Sequence, residues 1–183
     1  MLLHHAVNTP IKLAGSTFCL RNIPRLKRLA ELEFDFMVRP FDVSTLTSLS
    51  TAEFPIHARY STELEGIMNG KIDLFFEHEG RYYILDWKSN YLGNTSEDYS
   101  AENLALAMEE SNYHLQYLIY TVAVKKYLRL KLPCFEYNRH FGGIIYLFVR
   151  GIREGGGHGI FVSRPDEAFI EQLERLLSTS LPT

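Results

Sequence analysis

The order of apolar and polar residues predicts several strands in the central and C-terminal parts of the chain. Residues 71–76 and 81–88 are strand-like runs, and the polar, glycine-containing stretch between them suits a hairpin turn. Residues 144–149 are continuously apolar, which is typical of a strand buried on both faces. Residues 159–162 form a further strand-like run. We expect these strands to contribute to one mixed sheet.

Helices are predicted where apolar residues recur at helical spacing. A long helical region covers residues 101–130, with a break near residues 111–112. The last helix opens at Pro165, a residue that suits the first turn. Upstream the pattern is weaker: residues 32–36 alternate like a strand with one exposed face, and residues 42–54 suit a short helix. The predicted fold class is α/β, with a mixed central sheet flanked by helices.

Composition is that of one ordinary domain without an excess of basic residues. The chain has 183 residues, of which 46% are hydrophobic and 22% charged, so it can form a core of its own. We expect a single domain over residues 1–183, with residues 66–183 as the core and residues 1–65 as a less regular lead-in. Because the formal net charge is −3, any contact with nucleic acid must be local or assisted by a partner.

The cysteines do not indicate a zinc-binding protein, and the apolar runs do not indicate a membrane protein. Cys19 and Cys134 lie far apart, and neither has a second cysteine or a histidine nearby at a zinc-type spacing. No apolar run approaches the length of a membrane span. We therefore expect a soluble, cytoplasmic protein with two reduced thiols.

Three ionisable residues of the predicted hairpin are expected on one face of the sheet. Side chains alternate along a strand, so Asp86 and Lys88 point the same way while their neighbours point the other way. If the hairpin closes at a turn over residues 77–80, Asp73 comes beside Asp86. Two carboxylates and one ammonium group would then lie together at one end of the sheet.

Such a group of side chains suits metal-dependent hydrolysis of a phosphodiester. Adjacent carboxylates repel each other, and Mg²⁺ or Mn²⁺, which prefer oxygen ligands, would relieve the repulsion. The ion would polarise a phosphoryl oxygen and lower the pKa of a bound water. Lys88 would orient that water or stabilise the charge that develops in the transition state. The alternative is a pair of solvated edge charges, since Asp-x-Lys on a strand is common.

A pair of residues on the long helix adds a third element. Gln116 and Tyr120 are four residues apart and therefore share one helical face, with Tyr113 a turn earlier. An amide and a hydroxyl that face the sheet would contact a phosphate or order the active-site lysine. The alternative is that the tyrosines are amphipathic core residues, which is the commoner role.

Several segments of the chain combine these motifs in a specific way. They read Gly-Lys-Ile-Asp-Leu at residues 70–74, Tyr-Tyr-Ile-Leu-Asp-Trp-Lys-Ser-Asn at residues 82–90, and Gln-x-x-x-Tyr at residues 116–120. The segments at residues 85–93 and 140–151 add to the combination. Together they resemble the PD-(D/E)xK nuclease superfamily, and its RecB-like branch in particular. The resemblance is dense from about residue 66 to the end of the chain.

This resemblance implies a restriction-endonuclease-like fold and a role for each residue singled out above. Asp73 and Asp86 would bind Mg²⁺, the backbone carbonyl of Trp87 would be a further ligand, and Lys88 would be the catalytic lysine. The helical Gln-x-x-x-Tyr pair matches an element of the family. In that family the domain degrades single strands of DNA in double-strand break repair and recombination. It works in a complex of RecB, RecC and RecD, and takes part in loading the RecA recombinase.

Two departures from the family pattern qualify what the resemblance implies. No Walker-type motif occurs, so we expect a fragment without the helicase part. The family also carries a metal-binding histidine on a helix upstream of the strand that residues 30–37 match. We expect the chain to begin after that helix, with neither His4 nor His5 as the missing ligand. The alternative function is therefore a non-catalytic docking module that binds RecA or single-stranded DNA and is inactive as this fragment.

Basic residues form two loose clusters that are candidates for contact with the DNA backbone. The early cluster contains Arg21, Arg25, Lys27 and Arg28, and the later cluster contains Lys125, Lys126, Arg129 and Lys131. Solvated helix faces are an equally good interpretation of either cluster. A cluster that contacts DNA should make the affinity fall steeply with salt.

Overall fold

The computed structural model describes residues 2–57, 63–153 and 155–178. The helices in these residues are α1 (Leu2–Asn8), α2 (Ser44–Ser48), α3 (Ala101–Glu110), α4 (Tyr113–Lys131), α5 (Tyr137–His140) and α6 (Glu167–Ser178). The strands are β1 (Ile11–Leu13), β2 (Ser16–Phe18), β3 (Arg28–Asp42), β4 (Glu63–His78), β5 (Arg81–Lys88), β6 (Phe141–Phe148) and β7 (Ile160–Ser163).

Five strands form one mixed sheet in the order β3-β4-β5-β6-β7, and β1 pairs with β2 in a separate small sheet. β4 and β5 are antiparallel, β5 and β6 are parallel, and β6 and β7 are antiparallel. A parallel pair needs a crossover connection, and the segment with α3, α4 and α5 supplies it between β5 and β6. The predicted α/β fold with a mixed sheet is confirmed.

The hairpin between β4 and β5 closes through a tighter turn than the predicted one over residues 77–80. β4 continues to His78, and the two turn residues, Glu79 and Gly80, have φ values of 50° and 76°. Positive φ at both positions is the type I′ geometry that matches the twist of the flanking strands. The Gly80 N–H donates to the Glu77 carboxylate at 2.9 Å, which closes the turn.

The predicted break in the long helical region is found at residues 111–112, whereas the last helix begins at Glu167, two residues after the predicted Pro165. Asn112 separates α3 from α4 and has a φ of 53°, a left-handed conformation that asparagine tolerates better than most residues. At the start of α6 the Asp166 carboxylate accepts the N–H of Phe169 at 2.8 Å, as an N-cap residue does. The seven-residue α1 was not predicted, because two turns are too short to show a clear period.

The chain packs as two compact units. The first unit consists of Met1–Leu32, Ile72–Met108 and Asn138–Arg164. Its hydrophobic core joins the N-terminal segment to one face of β4, β5 and β6, and includes Ala6, Phe18, Phe76, Tyr83, Leu85 and Leu147. Because side chains alternate along β5, this packing leaves Asp86 and Lys88 on the opposite face.

The second unit consists of Glu33–Lys71, Glu109–Tyr137 and Pro165–Thr183. In it α4 packs against α6. The ring of Phe54 lies 6.4 Å from that of Tyr117 and 5.0 Å from that of Phe169. The Tyr137 hydroxyl donates to the backbone carbonyl of Pro165 at 2.8 Å.

Two further findings bear on the expected class of protein. Among the described helices, none combines the length and the apolar character that a membrane crossing requires. Cys19 is half-buried and Cys134 is exposed, and both are free thiols.

Candidate active site

Asp86 and Lys88 form a buried ion pair in the first unit, on the face that the strand alternation predicts. The Lys88 ammonium lies 2.6 Å from Asp86 Oδ2, and the two side chains are only 10% and 6% exposed. The same ammonium lies 4.8 Å from the ring centroid of Tyr146 on β6, the residue paired with Asp86. The lysine ammonium therefore has a negative partner and lies over an aromatic face.

The local electrostatics of Asp86 favour an additional positive charge. Burial raises the pKa of the Asp86 carboxyl above its usual range, although the hydrogen bond and the charge of Lys88 oppose the rise. The nearby Asp73 carboxylate raises the pKa further by repulsion. One ammonium group thus does not fully compensate two carboxylates, and a cation bound beside them would stabilise the ionised form of Asp86.

Asp73 is fixed against the main chain of β5. The paired register of β4 and β5 runs from His78 and Arg81 to Leu74 and Leu85. Asp73 precedes Leu74, the last paired residue of β4. Its side chain rather than its backbone contacts β5, because Oδ2 accepts the N–H of Trp87 at 2.8 Å. This contact holds the carboxylate beside the peptide unit that joins Asp86 to Trp87.

A cavity of about 490 Å³ in the first unit has Asp73 in its wall. Trp87 contributes to the same wall from β5, while Arg25 lines the cavity from the turn before β3 and Arg28 from the first position of β3. The cavity therefore combines one expected metal ligand with two guanidinium groups. The sequence grouped these arginines with other basic residues and did not distinguish them.

Gln116 and Tyr120, in the second unit, contact each other and the backbone of β4. Gln116 Nε2 donates to the Tyr120 hydroxyl at 3.0 Å, and that hydroxyl donates to the carbonyl of Lys71 at 3.0 Å. The Tyr120 ring also meets the ring of Phe34 edge-on, with centroids 5.7 Å apart. The pair therefore holds the backbone of β4 at Lys71. Their contact with a phosphate stays a prediction.

Two other tyrosines of α4, Tyr113 and Tyr117, differ in burial. Tyr117 is completely buried and belongs to the core of the second unit. Tyr113 is half-buried and lines, together with Gln116 and Tyr120, an open cavity of about 470 Å³. The interpretation as a core aromatic is therefore confirmed for Tyr117.

Comparison with known proteins assigns the chain to a family. A model of the PD-(D/E)XK nuclease superfamily matches residues 19–181. The chain belongs to this superfamily. Nucleases of the PD-(D/E)XK superfamily generally use divalent metal ions.

Individual relatives agree with the resemblance to RecB. The chain is 38% identical over 157 residues to RecBCD enzyme subunit RecB of Escherichia coli, an alignment that covers 85% of this chain and 13% of the relative. It is 39% identical over 149 residues to the RecB subunit of Haemophilus influenzae, which covers 80% of this chain and 12% of the relative. The same subunit of Borreliella burgdorferi is 44% identical over 154 residues, 84% of this chain and 12% of the relative. The chain thus matches a small part of each of these relatives.

The residues at the site fit the divalent metal ion that PD-(D/E)XK nucleases use. The part of the chain that the structure describes contains no group of three or more His, Cys, Asp and Glu side chains placed to hold a metal. Mg²⁺ does not need such a cage, since it is usually bound by one or two carboxylates and keeps several waters. Asp73 and Asp86 supply two carboxylates, and the repulsion between them is what a cation relieves.

The unpredicted helix α1 carries His4 and His5. Neither histidine completes a three-residue metal site with the two aspartates among the described residues. The sequence also did not predict the contact between the Lys88 ammonium and the ring of Tyr146. The fully apolar run at β6 predicted a central strand, but only the register with β5 shows which of its residues meets the lysine.

Proposed function

We propose that the chain is a Mg²⁺-dependent nuclease domain that hydrolyses phosphodiester bonds, mainly in single-stranded DNA. The observation that carries the proposal is the buried Asp86–Lys88 pair, with 2.6 Å between ammonium and carboxylate, in a member of a nuclease superfamily. A buried ion pair is a costly way to stabilise a sheet, whereas charged groups in a dry site are effective in stabilising a transition state.

In this proposal Asp73, Asp86 and the backbone carbonyl of Trp87 hold Mg²⁺. When bound, the metal ion supplies Lewis-acid activation of the phosphoryl group and of the attacking water. Asp73 is prepared for this role because the Trp87 N–H fixes its carboxylate before any ion binds. The Trp87 carbonyl belongs to the next peptide unit along β5 and is the third proposed ligand.

Lys88 is the proposed catalytic lysine. Its ammonium is held by Asp86 and by the face of Tyr146, which restricts the side chain to one place in the site. From that place Nζ can donate a hydrogen bond to the attacking water or to a non-bridging phosphate oxygen. Donation to a group that gains negative charge in the transition state accelerates the reaction.

Gln116 and Tyr120 are proposed to support this site from β4 and to contact a DNA phosphate. Their hydrogen bonds to each other and to the Lys71 carbonyl favour the supporting role, because they fix the backbone two residues before Asp73. A phosphate contact would add to these hydrogen bonds at the edge of the cavity that the pair lines.

The relatives suggest the assembly in which such a domain works. They are named as RecB subunits of the RecBCD enzyme. We accordingly propose that this domain acts in the cytoplasm with RecC and RecD partners in double-strand break repair and recombination, and that it contacts RecA. Its net charge of −3 supports dependence on a partner for binding DNA.

The proposal is tested by cleavage of end-labelled single- and double-stranded DNA with Mg²⁺, Mn²⁺, Ca²⁺ or EDTA. We expect cleavage with Mg²⁺ or Mn²⁺, faster on single strands, and no cleavage by the Asp73→Asn variant. Glu77→Gln is the matched control, since Glu77 lies on the same strand but pairs with Lys27. Cleavage that persists in Asp73→Asn, or no cleavage by a folded wild-type chain, would contradict the proposal.

A further inference from the structure

We propose that Arg25 and Arg28 form a binding site for a backbone phosphate of the DNA strand, adjoining the phosphodiester that is cleaved. This inference rests on the proposed nuclease function and adds a site that positions the substrate. It follows from the different environments of four basic residues close together in sequence.

Two members of this basic segment already have partners in the first unit. Arg21 Nη1 donates to the side-chain carbonyl of Asn8 at 2.7 Å, and the Lys27 ammonium lies 2.7 Å from the Glu77 carboxylate. Both contacts attach the segment to other parts of the fold. A structural role therefore accounts for Arg21 and Lys27.

Arg25 and Arg28 differ, because neither guanidinium forms a hydrogen bond or ion pair with any residue that the structure describes. Both residues are exposed, and the 3₁₀ turn Arg25–Lys27 buries none of its side chains. The fold thus gains little from these two guanidinium groups. Their charge is available to a ligand.

The cavity determines which ligand fits. Arg25 and Arg28 share a cavity of about 490 Å³ with Asp73 and Trp87. Its volume falls within the ~300–1,000 Å³ of typical ligand sites. A guanidinium presents a planar fork of donors that matches the non-bridging oxygens of a phosphate. Because Asp73 is a proposed metal ligand, a phosphate held by the arginines lies next to the metal site.

The alternative ligand for two arginines is an acidic peptide, and the position of Asp73 argues against it. A carboxylate ligand would place further negative charge beside the Asp73 carboxylate in the wall of this cavity. A DNA strand also brings negative charge, but it is the substrate on which the proposed metal ion acts. The adjoining phosphate, which the metal ion does not contact, is repelled by the Asp73 carboxylate. The two arginines offset this repulsion.

The test measures binding and turnover in Arg25→Gln and Arg28→Gln, with Arg21→Gln as the matched control. Dissociation constants for a labelled single-stranded oligonucleotide are measured in Ca²⁺, together with the salt dependence, and kcat and KM are measured in Mg²⁺. We expect each of the two variants to bind about tenfold more weakly and to lower the salt slope by about 0.7. KM should rise more than kcat falls, and Arg21→Gln should bind like the wild type.

A second measurement locates the phosphate. In a series of oligonucleotides, one phosphate at a time is replaced by a neutral methylphosphonate. At one position the wild type and Arg21→Gln should lose affinity while Arg25→Gln and Arg28→Gln should not, because their phosphate contact is already absent. The inference is overturned if no such position exists, or if all three variants, folded by circular dichroism, bind like the wild type.

The outcomes separate this inference from the proposed function. Cleavage that requires Asp73 but is unaffected by both arginine substitutions would leave the nuclease proposal standing and refute the phosphate site. Arginine-dependent binding without any cleavage would support the phosphate site and refute the nuclease proposal.

Discussion

Among the residues that the structure describes, two lysines are buried, one in each unit, and the charges around them differ. The side chain of Lys88 is 10% exposed and that of Lys125 is completely buried. Burying an ammonium group is costly unless it is paired. Both lysines are paired, Lys88 with Asp86 at 2.6 Å and Lys125 with Glu174 at 3.1 Å.

The charge balance around the two lysines is opposite. In the first unit Lys88 is, among the described residues, the one cation in ion-pair contact with Asp86, and the Asp73 carboxylate lies nearby. In the second unit Glu174 is contacted by three cations, since Lys126 and Arg129 lie 3.6 and 3.0 Å from it. In the proposed function the first group binds a further cation, while the carboxylate of Glu174 is already neutralised and braces α4 against α6. A buried lysine by itself therefore does not indicate catalysis, and the proposed catalytic role of Lys88 depends on the charge balance around it.

The largest expected effect concerns metal binding by Asp73 and Asp86, the carboxylates near Lys88. Asp86→Asn should weaken the binding of Mg²⁺ or Mn²⁺ by more than about 100-fold, because it removes a direct ligand, and loss of even a supporting partner costs about 10–100-fold. Titration calorimetry of the folded proteins measures this effect. Asp35→Asn is the matched control, since Asp35 is an exposed carboxylate. Equal heats for Asp86→Asn and the wild type would show that the assigned metal site is wrong.

The next largest effect concerns the free energy of unfolding and the ion pairs around Lys125 in the second unit. Glu174→Gln removes the closest carboxylate of Lys125 and leaves only Glu171, whose oxygen is 3.7 Å away. We expect a loss of about 2–3 kcal/mol in the free energy of unfolding, somewhat below the ~3–5 kcal/mol for a fully orphaned buried charge. Denaturant unfolding measures the loss. A normal stability for Glu174→Gln would contradict the bracing role.

A smaller effect should appear in the pH dependence of stability. Burial lowers the pKa of His114 below its ordinary value, with the charge of Glu109 opposing the shift and that of His57 adding to it. The unfolded chain therefore binds more protons, and stability should fall as the pH drops from about 6.5 towards the lowered pKa. His114→Gln should flatten this dependence, as measured by unfolding at pH 7.5, 6.5 and 5.5. An unchanged slope would exclude His114 as its cause.

The strand periodicity was sufficient to predict the common face of Asp86 and Lys88, and Gly80 marked the hairpin turn. Periodicity shows which face of a strand a side chain occupies, but it does not show which residues that side chain contacts. It does not show that Asp73 bonds to the backbone of Trp87, which depends on where the β4–β5 pairing ends. Nor does it show that Arg25 and Arg21 have different surroundings, because those depend on residues distant in sequence.

The most direct test of this account compares cleavage of single-stranded DNA in Mg²⁺ by Lys88→Met and Lys125→Met. Methionine has a similar volume to lysine and removes only the charge. We predict that Lys88→Met, still folded, cleaves at least ~100-fold more slowly, the typical cost of losing one transition-state donor. Lys125→Met should cleave like the wild type. Normal cleavage by Lys88→Met, or an equal loss in both variants, would contradict the assignment of Lys88 as the catalytic lysine.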